Sequence, residues 1–215
     1  MRPVCPTLRP AILSDFGAIE SLMYRSVRAL CIRDYTAEQI AVMMRDFAFA
    51  RAEEILIRDR TYFVAEFEGA IVGCGGWSWR AKTYRMRDDD TGQETALPHP
   101  APGLAAIRAI FVEPALAGRG IGRTLVCAAE EAARKEGYGA FEIGATLTGV
   151  PLYRTLGYRA SGLYSFELAS GGRFAVVMMH KRNRRDDARD AGASGSGAMC
   201  RPKHLSADTA MGDTI

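Results

Sequence analysis

Residues 107–123 read IRAIFVEPALAGRGIGR, and no other stretch constrains the chain as much. Ile107 to Val112 is an apolar, strand-like run that ends at Glu113-Pro114. Gly118-Arg119-Gly120-Ile121-Gly122-Arg123 then sets glycines at alternate positions beside two arginines. A helix-period set comes directly after: Ile121, Leu125, Ala128 and Ala132. Strand, glycine turn and helix together aim backbone N–H groups and a helix N-terminus at an anion. Glycine lets the backbone approach that anion because no Cβ intervenes. An ordinary αβ connection can also be glycine-rich, but the alternation with arginine favours the anion site. Spacing excludes two familiar phosphate loops. Counted from Gly118, a G-x-G-x-x-G fingerprint meets Arg123 where its third glycine belongs, and no G-x-x-x-x-G-K-[ST] string occurs.

The chain has 215 residues, which suits one domain and an appendage. Hydrophobic content of 48% and charged content of 25% are those of an ordinary globule with a sizeable core. A net charge of +3 is too small to argue for nucleic acid. The five cysteines, at positions 5, 31, 74, 127 and 200, are dispersed, and no C-x-x-C or Cys/His cluster suggests a disulfide framework or a metal site. A reducing, cytoplasmic setting is expected. The N-terminus has no apolar signal core, and no apolar run approaches a membrane span.

In chain order, Leu8, Ile12 and Leu13 around Arg9-Pro10 suggest a short first strand. Ser14 is placed to cap a helix bearing Phe16, Ile19, Met23, Val27 and Leu30. Thr36 and Gln39 form a capping box ahead of Ile40, Met43, Met44 and Phe47. Arg51 to Arg60 suggests a further helical turn. Thr61 to Phe67 and Ile71 to Trp79, joined at Glu68-Gly69, read as a hairpin. Residues 80–103 read as a long loop with Asp88-Asp89-Asp90 and prolines at 98, 100 and 102. After the central strand, turn and helix, Gly137 ends the helix and Ala140 to Ala145 forms a short strand. Thr148 to Leu156 reads as a short helix with Pro151 in its first turn and Gly157 beyond its end. Ala160 to Leu168 and Phe174 to His180, joined by Ser170-Gly171-Gly172, close the chain as an antiparallel hairpin. The order is β-α-α-β-β-β-α-β-α-β-β. Residues 1–181 are expected to form one α/β domain. Residues 182–215 lack Phe, Trp and Tyr and are rich in small and charged residues, so a disordered polar tail is expected. Its basic start is trailed directly by acidic residues, which argues for a solvated tail over a nucleic-acid contact.

The Ile107–Arg123 stretch resembles the acyl-CoA pyrophosphate loop of the GNAT N-acetyltransferase superfamily. That family has an apolar strand ending near a proline, then [Q/R]-x-x-G-x-[G/A], then a helix. Here Gly120-Ile121-Gly122 supply the G-x-G between Arg119 and Arg123, while Ala117 replaces the opening Gln or Arg. The element order matches the family over roughly residues 7–181. The resemblance implies a mixed, mostly antiparallel central sheet of about six to seven strands flanked by about four helices. It implies an acyltransferase that moves an acetyl group from acetyl-CoA, without a metal, to a primary amine of a small molecule or a protein. A homodimer stays open. The rival reading is a non-catalytic acyl-CoA sensor, since the strand glutamate that many relatives use as a base has Ala105-Ala106 in its place.

By the same resemblance, the cofactor contacts are Ala117, Gly118, Arg119, Gly120, Ile121, Gly122 and Arg123, with backbone groups of Ile110, Phe111 and Val112 holding the pantetheine arm beside a bulge. Thr146 stands where the family often has a cofactor-binding Asn. Tyr153, in the segment Leu152 to Tyr158, is the candidate acid: a phenol with pKa about 10 is protonated at neutral pH and suited to donate to a leaving thiolate. A core tyrosine on an amphipathic helix is the plainer alternative. Glu113, at the strand's end, is the candidate base, against the reading of a solvated strand-end charge. Arg108 faces either cleft or solvent, His99 lies in the proline-rich loop, and Trp77 and Trp79 either wall the acceptor pocket or pack in the core.

Overall fold

The computed structural model describes residues 5–44, 52–80, 86–87, 94–95, 103–167 and 173–182. Phe47, His99, the Asp88–Asp90 run, the prolines at 98–102 and the tail 183–215 lie outside these described residues. The strands are β1 (Thr7–Pro10), β2 (Tyr62–Phe67), β3 (Ala70–Ser78), the two-residue β4 (Met86–Arg87) and β5 (Glu94–Thr95), β6 (Leu104–Val112), β7 (Ala140–Thr146), β8 (Arg159–Glu167) and β9 (Arg173–Arg182). The helices are α1 (Phe16–Leu30), α2 (Ala37–Val42), α3 (Ala52–Arg58), α4 (Ile121–Lys135) and α5 (Val150–Thr155).

Seven strands form one sheet in the order β1-β2-β3-β6-β7-β9-β8. Every neighbouring pair is antiparallel except β6–β7. That pair is parallel because α4 carries the chain back across the sheet between them. The mixed, mostly antiparallel sheet is the one expected from the sequence. On one face α4 buries Val126, Ala129 and Ala133 against Ala105, Ile107, Phe141 and Ile143. On the other, Ile19, Leu22 and Met23 of α1 pack with Leu56 and Ile57 of α3 over Tyr62, Val64 and Cys74. Alternation along each strand divides these two cores.

Two helix starts behave differently. The capping box forms as expected: Thr36 Oγ1 accepts from the Gln39 N–H at 3.2 Å, and Gln39 Oε1 accepts from the Thr36 N–H at 2.8 Å. Ser14, in contrast, does not cap α1. It lies within a 3-10 turn, Leu13–Asp15, and Asp15 takes the N-cap place without a side-chain cap. The Asp15 carboxylate is engaged elsewhere, accepting from Arg9 at 2.7 Å and from the Ile12 N–H at 2.9 Å. A charge-assisted pair to β1 outweighs the neutral cap.

Candidate active site

β6 and β7 lie side by side for only three residue pairs: Leu104–Ala140, Ala105–Phe141 and Ala106–Glu142. Beyond them β6 runs on to Val112 and β7 to Thr146 with no further pairing to each other. The strands splay, and a cavity of about 670 Å³ opens between them. Its walls are residues 107–112 of β6, 143–146 of β7, the end of α1, and Leu152 and Tyr153 of α5.

The cause of the splay lies in β6. Cys74 pairs with Phe111 and Gly76 with Arg108, so three steps of β6 face two of β3. The extra residue makes a β-bulge, which bends the strand and re-aims the residues beyond it. Ala109 takes φ +50°, a left-handed value rare for a residue with a Cβ. A hydrogen bond from a buried tyrosine holds it there: the Tyr62 hydroxyl donates to the carbonyl of the half-buried Ala109 at 3.0 Å. The facing strand is cut to fit, since a Cβ at Gly75 would overlap Ile110 and one at Gly76 would strike the Thr61 carbonyl.

Past the bulge, the Glu113 N–H donates to the Val72 carbonyl of β3 at 2.9 Å. The Val112 N–H points the other way, into the cleft, reaching Ser26 Oγ at 3.4 Å. Alternation gives the Ile110 N–H the cleft side and Phe111 the β3 side. At the glycine turn, Gly118 (φ +75°) and Gly120 (φ +93°) are left-handed, and Gly120 is the N-cap of α4 with no side-chain cap. The first bond of α4 runs from the Thr124 N–H to the Gly120 carbonyl at 3.0 Å, so the N–H groups of Ile121, Gly122 and Arg123 precede it. Ala117 and Gly118 line the cavity beside them. Arg119 Nε is buried with no hydrogen-bond partner among the described residues. Open helix N–H groups and an unsatisfied guanidinium nitrogen fit a pyrophosphate. Gly122 does a different job: a Cβ there would come within 3.1 Å of Leu152, so this glycine seats α4 against α5.

Tyr153 lines the cavity and is 5% exposed. Its ring meets Tyr158 edge-on at 5.7 Å, and no described group hydrogen-bonds its hydroxyl. Burial pushes the phenol pKa up, so the hydroxyl holds its proton at neutral pH. Thr146 also lines the cavity, but its Oγ1 accepts from the Gly149 N–H at 3.2 Å and caps the turn leading to α5. Glu113 is not among the residues lining the cavity; it pairs with Arg25 of α1 at 2.9 Å. Trp77 and Trp79 are not cavity residues either. Trp77 is buried in the core under α4, 5.6 Å from Trp79 and 5.5 Å from Tyr138, so core packing accounts for it.

A model of the acetyltransferase (GNAT) family matches residues 24–158, from the middle of α1 to the end of the Tyr153 segment. The chain belongs to the GNAT acetyltransferase family. It is similar in fold to a GCN5-related N-acetyltransferase from Rhodopseudomonas palustris, with TM-score 0.61 and 22% identity over 85% of this chain and 98% of that one. It is also similar to the PaiA N-acetyltransferase of Thermoplasma acidophilum in complex with coenzyme A, with TM-score 0.57 and 14% identity over 83% and 99%. A phosphinothricin acetyltransferase from Sinorhizobium meliloti in complex with acetyl-CoA gives TM-score 0.56 and 22% identity over 83% and 88%. Among curated proteins, none matches the chain. Membership makes this GNAT protein an acetyl-CoA-dependent acetyltransferase. Among the described residues, no helix is long and apolar enough to cross a membrane, and no group of His, Cys, Asp or Glu is placed to hold a metal ion.

Around this GNAT site the structure decides one residue that the sequence left open and brings forward another that sequence reading missed. Arg108 is buried and lines the cavity on the α1 side. Glu142, at the last paired position before the splay, is 4% exposed. Burial raises its pKa, while the charges of His180 and Arg108 pull it back down. His180 Nε2 lies 3.4 Å from the Glu142 carboxylate. A signal was present in the sequence: Glu142 is the one charged residue in the apolar run Ala140 to Ala145. A carboxylate in such a strand needs a partner or a function.

Proposed function

We propose that this acetyltransferase acetylates a primary amine, of a small molecule or of a protein, by direct attack on acetyl-CoA bound in the β6–β7 cleft. The splay carries this reading. It brings an open helix N-terminus and a buried, protonated tyrosine to one cavity. Acetyl-CoA supplies the activated acetyl group as a thioester. The N–H groups of Ile121 to Arg123, with Gly118, Arg119 and Ala117 alongside, hold the pyrophosphate. The cleft-side N–H groups of Ile110 and Val112 hold the pantetheine arm and polarise the carbonyl. The Phe111 side chain lines the cavity between them, and Thr146 shapes the wall by capping the turn below. Tyr153 protonates the leaving thiolate. Glu113, paired with Arg25, fixes the end of β6 against α1.

The test is an acceptor screen with acetyl-CoA, read by mass spectrometry for acetylated amine and by free CoA released in equal amount. Acetyl-CoA bound tightly with no amine consumed across the panel would instead mark a sensor. The cleft itself is probed by Gly120→Val. A β-branched residue at φ +93° strains the turn and puts a side chain where the backbone must meet phosphate. Calorimetry should show acetyl-CoA binding lost; unchanged affinity in a folded variant sinks the assignment.

A further inference from the structure

A row of residues crosses the sheet where the cleft closes. Ser78 of β3 pairs with Ala106 of β6, Ala106 with Glu142 of β7, Glu142 with His180 of β9, and His180 with Arg159 of β8. Directly paired residues share a face, so all five stand on the side opposite α4. Along this row exposure rises: Ser78 and Glu142 are buried, whereas the His180 side chain is 37% exposed. Glu142 and His180 do not themselves line the cavity; Glu142 is joined directly to Ile143, which does, and lies within the field of Arg108, which also does. Tyr153 belongs to the α4 side of the sheet, with Ile107 and Ile143. Acid and carboxylate therefore stand on opposite faces of the sheet, the carboxylate one residue beyond the cavity wall.

We propose that Glu142 is the base that receives the acceptor's proton, and that His180 relays that proton from Glu142 to solvent. The inference rests on the acetyl-transfer reading above. An ammonium acceptor gives one proton to the Glu142 carboxylate, directly or through one water, and becomes a free amine. His180 Nε2 takes this proton and releases it to water, returning Glu142 to its carboxylate. The amine nitrogen then bonds to the thioester carbon as the C–S bond breaks. The nitrogen's second proton, acidic in the tetrahedral adduct, passes to water, and the phenolate left on Tyr153 takes one proton back from water, so each turnover releases one proton net. Two observations suit Glu142 to this work. Its carboxylate has a single hydrogen-bonding or ion-pair partner among the described residues, the long contact to His180. Burial also raises its pKa above the ordinary carboxylate value, which strengthens it as a base. Among the described residues, the charged groups that act on it are Arg108 from β6 and His180 from β9, with Arg159 of β8 one strand further out.

Two measurements test the relay, and the first needs no acceptor. Carbon-detected NMR of the intact protein tracks the Glu142 side-chain carboxyl through a pH titration. Its midpoint should lie above the ordinary glutamate range and should rise further in His180→Gln, because His180 favours the charged form. An ordinary midpoint that ignores His180→Gln overturns the pairing. The second is the pH profile of kcat/KM with acetyl-CoA and spermidine, repeated with hydroxylamine, which is unprotonated at neutral pH. Glu142→Gln should lower kcat/KM for spermidine by roughly 10²–10⁴-fold, and far less for hydroxylamine. His180→Gln should cost less and move the acid limb to higher pH. Equal losses for both nucleophiles with an unmoved acid limb mean a merely structural role, and overturn the proposal. A wild-type protein that acetylates neither nucleophile nor any amine of the screen defeats the acetyl-transfer reading and this relay with it; the NMR arm then reports the pair alone.

Discussion

Two glutamates are buried on opposite faces of one sheet and are treated in opposite ways. Glu130 of α4 is 2% exposed and saturated: Lys181 Nζ reaches both oxygens at 2.7 and 2.8 Å, Arg134 one at 2.6 Å, and the Tyr158 hydroxyl the other at 2.9 Å. Glu142 of β7 is 4% exposed and has His180 at 3.4 Å. Consecutive residues of β9 serve the two, because His180 and Lys181 point to opposite faces. A carboxylate ringed by donors is a clamp, since removing any donor leaves buried charge uncompensated. A carboxylate with one adjustable partner, at the last paired position before two strands part, remains free to exchange a proton. Burial alone does not separate a structural acid from a catalytic one; the number and permanence of the donors does.

The tyrosines break or sharpen this contrast most. Tyr153 and Tyr158 touch edge-on, yet only Tyr158 is bonded to the clamp. Tyr153→Phe should lower kcat and kcat/KM together by roughly 10²–10⁴-fold, with the acetyl-CoA KM little moved and stability nearly unchanged. Tyr158→Phe should do the reverse, losing about 1.5–3 kcal/mol for a hydrogen bond to a charged acceptor while kcat holds in the folded protein. Steady-state kinetics beside denaturant melts reads both. Wild-type kcat in Tyr153→Phe, measured where chemistry limits the rate, removes Tyr153 from the mechanism.

The clamp comes next. Lys181→Met keeps the length of the stem but withdraws the ammonium from Glu130 and from over the Tyr158 ring. Stability should fall by about 3–5 kcal/mol, while the pH profile of the remaining folded enzyme keeps its acid limb. A shifted acid limb would mean that the two faces are coupled, and the division of labour drawn between the glutamates would fail.

The sequence makes one side of this comparison visible and hides the other. Period and punctuation expose the elements: the 3.6-residue spacing of α1 and α4, the capping box at Thr36, and the glycines at 118 and 120 are legible because each is a local property of the chain. The bulge at Ala109 is beyond a residue-level reading, because nothing about alanine announces a positive φ that a Tyr62 hydroxyl 47 residues away must hold. Glu113 draws attention as the carboxylate nearest the motif in sequence, while Glu142 comes to the cleft by strand pairing. Ser14 misleads as well: a capping residue is in place, but the ion pair of Asp15 with Arg9, which β-sheet pairing sets beside Glu66, decides how the helix begins.

A third glutamate supplies the last and smallest test. Glu53 of α3 is 2% exposed, and its Oε1 has no hydrogen-bond partner among the described residues. It has neither clamp nor relay. Burial, with a smaller push from the negative charge of Glu20, raises its pKa from 4.5 to about 7. The folded state thus binds this proton more tightly than the unfolded chain does. The stability that goes with it is fully present below the unfolded value of 4.5 and is lost as pH rises through about 7. Glu142 titrates in the same direction, so the wild-type slope belongs to both groups, and only the difference from Glu53→Gln isolates one. Glutamine keeps the shape and cannot ionise. The variant should gain on wild type as pH rises from about 5 to about 8, by at most about 3 kcal/mol for a shift of this size, with no change in kcat. Denaturant melts across that range measure the gap. A gap that stays constant would show that burial without donors does not hold a proton on a glutamate in this fold, and would remove the same physical support from Glu142.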